Sequence, residues 1–222
     1  MPTNVDVEKV IHAARHSVPL AVKTYTLPHD MENYLEEVLG VFLKEMGREN
    51  LKEPLAYCLR ELAVNAKKAN TKRVYFKLKN LNINDDEDYI QGMSQFKNET
   101  LENIDFWLQQ QKDAGLYIKI VFHKNGDTLH VLVCNNAEIT KKEQIRVYDR
   151  IARSRAFSSL EEALSTVLDD SEGAGLGIVI LVLMLKKLNL DEDSFDIDVE
   201  NGETVARLTI PMDQVKLESL EI

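Results

Sequence analysis

Glu61-Leu-Ala-Val-Asn65-Ala-Lys-Lys68-Ala69 lies on an apolar-striped helical segment, and Gly173-Ala-Gly175-Leu176-Gly177-Ile178 opens into a nearly all-apolar one. Glu61, Asn65 and Lys68 are four and three residues apart, so a helix sets them on one face. An amide oxygen at Asn65 suits Mg²⁺, which prefers oxygen ligands and keeps several waters. Glu61 is placed to orient or deprotonate an attacking water or hydroxyl, and Lys68 to pair with a phosphate. The plain alternative for this triplet is a solvated helix face. The glycines allow backbone to approach a ligand closely, and the following helix offers free N–H groups at its N-terminus. No strand directly precedes them, so they are not a dinucleotide fingerprint, and they lack the Gly-Lys-Ser/Thr ending of a P-loop.

The chain has 222 residues, 44% hydrophobic and 29% charged, with a formal net charge of −10. This is enough for one large domain, or a domain with an appendage. The acidic balance argues against a nucleic-acid or anionic-membrane surface, though a local array of N–H donors can still bind phosphate. Cys58 and Cys134 read as buried structural thiols. No signal segment opens the chain, and its longest apolar run is too short to span a bilayer. The expectation is a reduced, soluble, cytoplasmic protein.

Periodicity predicts helices over 5–18, 31–46, 51–69, 140–156, 159–168 and 176–188. Strands are expected at Ala21–Leu27, Arg73–Lys79, Tyr117–His123, Thr128–Cys134, Phe195–Val199 and Thr204–Ile210. The Arg73–Lys79 strand rests on the alternation of Val74, Phe76 and Leu78 with polar residues. Lys124-Asn-Gly126-Asp127 and Asn201-Gly202 are hairpin turns. Residues 80–115 break the rhythm and read as an insertion, in which Phe106 and Trp107 are core packing. The result is a two-layer α/β sandwich: a mixed, mainly antiparallel sheet with helices on one face.

Taken together, the motifs resemble those of the histidine-kinase-like ATPases, the Bergerat-fold superfamily. Glu61-x-x-x-Asn65-Ala-x-Lys68-Ala69 is similar to its N box, and Gly173-x-Gly175-Leu176-Gly177-Ile178 to its second glycine box. The ending Asn201-Gly-Glu-Thr-Val-Ala-Arg-Leu-Thr-Ile-Pro211 matches the family's closing hairpin, so the resemblance covers 20–212. It leaves 1–19 as an N-terminal appendage and 213–222 as a tail. The resemblance implies ATP and Mg²⁺ as ligands, with Asn65 on the metal and Glu61 as general base. Lys68 would lie near the phosphates, and Gly173, Gly175, Leu176 and Gly177 would line the triphosphate and hinge a lid at about 140–172.

One box departs from the pattern. The family has Asp-x-Gly-x-Gly after a strand, its Asp accepting from the adenine amino group. Here the segment is Asn135-Asn-Ala137-Glu-Ile139. A neutral Asn135 accepts more weakly than a carboxylate, and Ala137 adds a methyl where backbone would approach the base. Lowered affinity, altered base preference and lost binding all follow as outcomes.

The implied activity is Mg-ATP-dependent phosphotransfer to a separate protein, or nucleotide-gated partner binding, in signalling. The alternative is a degenerate, non-catalytic interaction or regulatory module. A protein partner is expected, and a homodimer is allowed. His12-Ala-Ala-Arg15 faintly echoes a phosphoacceptor segment, but Pro19 comes too late, and His12 reads as a surface or core-edge residue. The remaining histidines read as structural, and Asp169-Asp170-Ser-Glu172 as a solvated loop.

Overall fold

The computed structural model describes residues 5–157, 161–163 and 176–216. Gly173, Gly175, the Asp169–Glu172 loop and most of the expected 159–168 helix lie outside the described residues. The elements run α1 (Val7–Arg15), β1 (Leu20–Thr24), α2 (His29–Glu45), a 3-10 turn (Glu49–Leu51), α3 (Lys52–Leu78), α4 (Asp86–Glu102) and α5 (Ile104–Asp113). They continue with β2 (Ile118–Asn125), β3 (Thr128–Asn135), α6 (Lys141–Ser154), α7 (Leu176–Lys187), a 3-10 turn (Glu192–Ser194), β4 (Phe195–Glu200) and β5 (Glu203–Pro211).

The strands form one five-stranded sheet of order β1-β2-β3-β5-β4. Every pairing among the described residues is antiparallel, so the expectation of a mixed sheet is corrected. The β4–β5 hairpin turns on Asn201 and Gly202, both at positive φ (52° and 79°). That is the geometry a two-residue type I′ loop demands, and it explains the Asn-Gly pair.

Register decides which side of the sheet is the core. One rung runs Leu20, Phe122, Val131, Leu208, Phe195; the next runs Val22, Ile120, Val133, Ala206, Ile197. Both rungs join a single buried cluster with residues of α1, α2, α3, α6 and α7, which makes the molecule two-layered. The third rung of the same face is mixed: Thr24, Asn135 and Thr204 are polar, Ile118 stays in the main core, and Val199 is exposed. The apolar layer is therefore interrupted by polar side chains where the sheet reaches Asn135.

The other face is covered by long charged side chains. Lys119 Nζ reaches Glu203 Oε2 at 2.6 Å, and Arg207 pairs with Asp196 at 2.8 Å and also with Glu200. Their stems shield Cys134 and Val205, which are buried although they point away from the main core.

The predicted strand at Arg73–Lys79 is overturned, because α3 continues without a break to Leu78. Val74, Tyr75 and Phe76 are all buried, and they pack with Tyr89 of α4 and Trp107 of α5 as a second, smaller core. Three consecutive buried residues do not fit an alternating strand with one wet face. They fit a helix enclosed on more than one side. The helix ends in a Schellman motif: Asn80 adopts φ 53°, its N–H donates to the Lys77 carbonyl, and that of Leu81 to Phe76. Residues 80–115 are thus a helical pair, α4 and α5, closing over the far half of α3. Asp85 caps α4 by accepting from the N–H groups of Glu87 and Asp88.

Gly92 gives α4 its close approach, since a Cβ there would stand 2.6 Å from the Phe76 ring. Gly92→Ala is expected to lower stability by about 1–3 kcal/mol through overpacking, measured as a shift in the urea unfolding midpoint. An unchanged midpoint would show that α4 does not dock on Phe76.

Candidate functional site

Helix α3 spans 27 residues, about 40 Å at 1.5 Å per residue. Its predicted functional face meets two other elements. Near one end, the Glu61 carboxylate lies against Gly177 at the start of α7: a Cβ on Gly177 would fall 2.0 Å from Glu61 Oε2. Only glycine leaves this space, and a carboxylate is favoured at a helix N-terminus. The same carboxylate neighbours Tyr57, whose hydroxyl is raised above its ordinary pKa by burial first and by the Glu61 charge second.

Nine residues along, roughly 14 Å, α3 meets the end of β3. Asn70 is fully buried, and its Nδ2 donates to the Tyr117 carbonyl at 3.0 Å. That bond leaves Asn70 Oδ1 as an acceptor, and Asn135 Nδ2 donates to it at 3.1 Å and to the Ala137 carbonyl at 3.2 Å. Main-chain carbonyls, which only accept, thereby fix the orientation of both amides. Among the described residues, Asn135 Oδ1 takes no protein donor. Asn65 lies between the two ends, half-buried, and Lys68 is exposed.

The segment expected to be a pared-down glycine loop is fastened at each residue from 135 to 138. Thr204, opposite Asn135 in the sheet, donates its hydroxyl proton to the Ala137 carbonyl at 2.6 Å. Asn136 accepts from the Tyr117 N–H at 2.6 Å and donates to the Gly115 carbonyl. Arg73 donates to the Glu138 carbonyl at 2.8 Å. Side-chain hydrogen bonds occupy the place of backbone freedom.

Helix α6 begins the expected lid. A Thr140–Glu143 capping box starts it, and Glu143 is also clamped to α3 by Lys72 at 2.9 Å and Arg73 at 2.5 Å. Burial pushes the Glu143 carboxyl upward in pKa. The Arg73 hydrogen bond and the two positive charges outweigh it and hold the carboxyl far below the usual range.

The structure thus brings Glu61 and Gly177 together, and joins Asn135 to the same helix through Asn70. Lys68 makes none of the described contacts. Asn70, Lys72, Arg73 and Thr204 were not picked out by sequence reasoning. Lys72 was legible, since it continues the 61–65–68 spacing by four residues, but the supposed strand at Arg73 interrupted that face. Among the described residues no group of three or more His, Cys, Asp or Glu converges as a metal site. Cys58 and Cys134 are raised by burial to about 12 and about 11, which leaves neither thiol nucleophilic at neutral pH. Two concave regions, one between α6, α7 and β4 and one between α2 and the start of α3, are not lined by these residues. None of the described helices is long and apolar enough to cross a membrane.

No known family's model matches the chain, and no solved structure matches it. It is similar to an uncharacterized protein of Treponema pallidum (strain Nichols), 47% identical over 207 residues, covering 93% of this chain. The chain spans 40% of that relative's length.

Two outcomes follow. Asn135→Asp, which restores the carboxylate of the family pattern, sets it against two acceptors, Asn70 Oδ1 and the Ala137 carbonyl. A loss of about 1–3 kcal/mol is expected in thermal unfolding at pH 7; increased stability would refute the amide lock. Glu143 has a depressed folded pKa, so its contribution is complete above the unfolded carboxylate value of about 4.3 and is lost as pH falls below it. Glu143→Gln should cost about 2–3 kcal/mol at pH 7. The gap to wild type should narrow on acidification from pH 5 to pH 3, read by urea titration at each pH.

Proposed function

We propose that the chain is a Mg²⁺-ATP-binding protein of the Bergerat type, acting in signalling by phosphotransfer to a protein partner or by nucleotide-gated partner binding. One observation carries the reading: the carboxylate of the N-box-like segment rests on Gly177 of the distant glycine-box-like segment. Two motifs that resemble one family's site thereby share one surface of α3. The residues present fit the ligand. Gly177 leaves beside its backbone a space that the Glu61 carboxylate fills and a phosphate would take once that side chain rotates away, Asn135 Oδ1 is an acceptor without a protein donor among the described residues, and roughly 14 Å of helix separates them.

In this reading Asn135 Oδ1 accepts from an exocyclic amine of the base. Asn65 offers its amide oxygen to the magnesium, which would supply charge neutralisation along the phosphates. The backbone at Gly177 and the N-terminus of α7 would hold the terminal phosphate, and Glu61 would orient the attacking hydroxyl or water. Because Glu61 now rests at that helix N-terminus, nucleotide entry requires its carboxylate to swing aside.

A second reading, a non-catalytic interaction module, is favoured by the fastening of 135–138. A hydrogen-bonded loop without glycines gives up the close approach and hinge freedom that the family's box supplies.

Isothermal titration with ATP, with and without Mg²⁺, decides between them. The first reading expects Mg²⁺-dependent binding, weakened at least about tenfold (about 1.4 kcal/mol) by Asn65→Ala. Gly177→Ala, which puts a methyl group where the phosphate would approach the backbone, should weaken it as well while leaving the fold intact. No binding of ATP or ADP at millimolar concentration would eliminate the first reading and leave the second.

A further inference from the structure

We propose that His12 and His16 form a two-imidazole chelate for a divalent transition metal, Cu²⁺ or Ni²⁺, on the outer face of α1. The site is separate from the nucleotide reading and does not depend on it. His12 lies in the last turn of α1 and His16 caps it, its N–H donating to the His12 carbonyl at 3.0 Å. The two are therefore one helical turn apart with a fixed backbone between them. Both are exposed, and their ring centroids stand 4.4 Å apart.

That spacing puts both rings within reach of one ion. A metal–nitrogen bond of about 2.0–2.1 Å, plus about 1.2 Å from nitrogen to ring centre, puts each centroid about 3.2 Å from the ion. Two ligands at a right angle then have centroids about 4.5 Å apart, whereas a tetrahedral angle would need about 5.2 Å. Rotation about the exposed side-chain bonds brings one nitrogen of each ring to a shared ion, and imidazole with water suits Cu²⁺ and Ni²⁺. Water fills the remaining positions.

The electrostatic setting allows a cation. Arg15 follows the same turn, but Nε and Nη2 are held by the Glu45 carboxylate at 2.6 and 3.2 Å, which offsets its charge. Glu8 stands one turn before His12, and helical spacing places it on the same face. Histidines near a helix C-terminus also interact favourably with the macrodipole. That role needs no particular distance between two rings. The cross-strand pair His123 and His130 serves as an internal control. Its rings are 6.0 Å apart, and His123 Nε2 is engaged at 3.2 Å with the Ser17 carbonyl.

The test is calorimetric titration of the full chain with Cu²⁺ and with Ni²⁺, joined to electron paramagnetic resonance of the Cu²⁺ form. One ion per chain is expected, with two imidazole nitrogens in the copper spectrum. His12→Ala and His16→Ala should each lower affinity at least about tenfold and remove one nitrogen, while His123→Ala changes affinity less than about twofold. Circular dichroism checks that the variants remain folded, as substitution at exposed positions predicts. Wild-type affinity in either single variant, loss of binding in His123→Ala, or binding only at millimolar metal would each overturn the proposal.

Discussion

The buried amide of Asn70 is the point on which the two halves of this molecule turn. Helix α3 must satisfy the main core with Leu55, Cys58, Leu59 and Leu62, then the accessory core with Val74, Tyr75 and Phe76. Between the two cores the helix passes the polar end of the sheet. Asn70 bonds there to the Tyr117 carbonyl and to Asn135. Beside it, Thr71 lies 3.1 Å from Gln111 Oε1, and Gln111 donates to the Tyr25 carbonyl at 2.7 Å. An unpaired buried amide costs about 1–3 kcal/mol, so this satisfied chain fixes the rotation of α3 over the sheet. That rotation in turn sets the face bearing Glu61 and Asn65.

The same bonds change the meaning of Asn135. Beside a family pattern that has Asp, it looks like a weakened version of a familiar contact. In the fold it is half of a matched amide pair that a carboxylate could not form. The loop following it is held by hydrogen bonds from Thr204, Arg73 and the Asn135 and Asn136 side chains. At the opposite end of the face, the Glu61 carboxylate occupies the space that a side chain at Gly177 would need. One end of the face is held by side-chain hydrogen bonds, while at the other a carboxylate lies directly against a glycine.

Legibility followed from how local each signal was. The two hairpins were readable because turn chemistry is local: Asn201 and Gly202 tolerate positive φ, and alternating apolar residues fix which face is buried. The early helices were readable because each packs through one stripe. The Arg73–Lys79 strand was misread because Val74, Phe76 and Leu78 alternate, while the residue that contradicts the pattern, Tyr75, reads as polar until α4 and α5 are seen to cover it. The end of α3 was marked in the chain by Asn80, a residue that accepts the left-handed conformation. At the site, Glu61 and Asn65 were legible from helical spacing. Arg73 and Thr204 were not, since their roles depend on partners 65 and 67 residues away.

By itself the sequence determined the elements whose physics is short-range: amphipathic stripes, β-hairpins, glycine positions and the shared face of Glu61, Asn65 and Lys68. Tertiary structure decided what those elements meet. It made the sheet antiparallel throughout, because strand order depends on how long connections return. It brought Glu61 to Gly177 and locked Asn135 to Asn70, because buried polar groups must find partners wherever the chain supplies them. It left Lys68 in solvent and gave the ionic grip on α6 to Lys72 and Arg73, because Glu143, held near the start of its helix by the capping box, comes within reach of those two side chains.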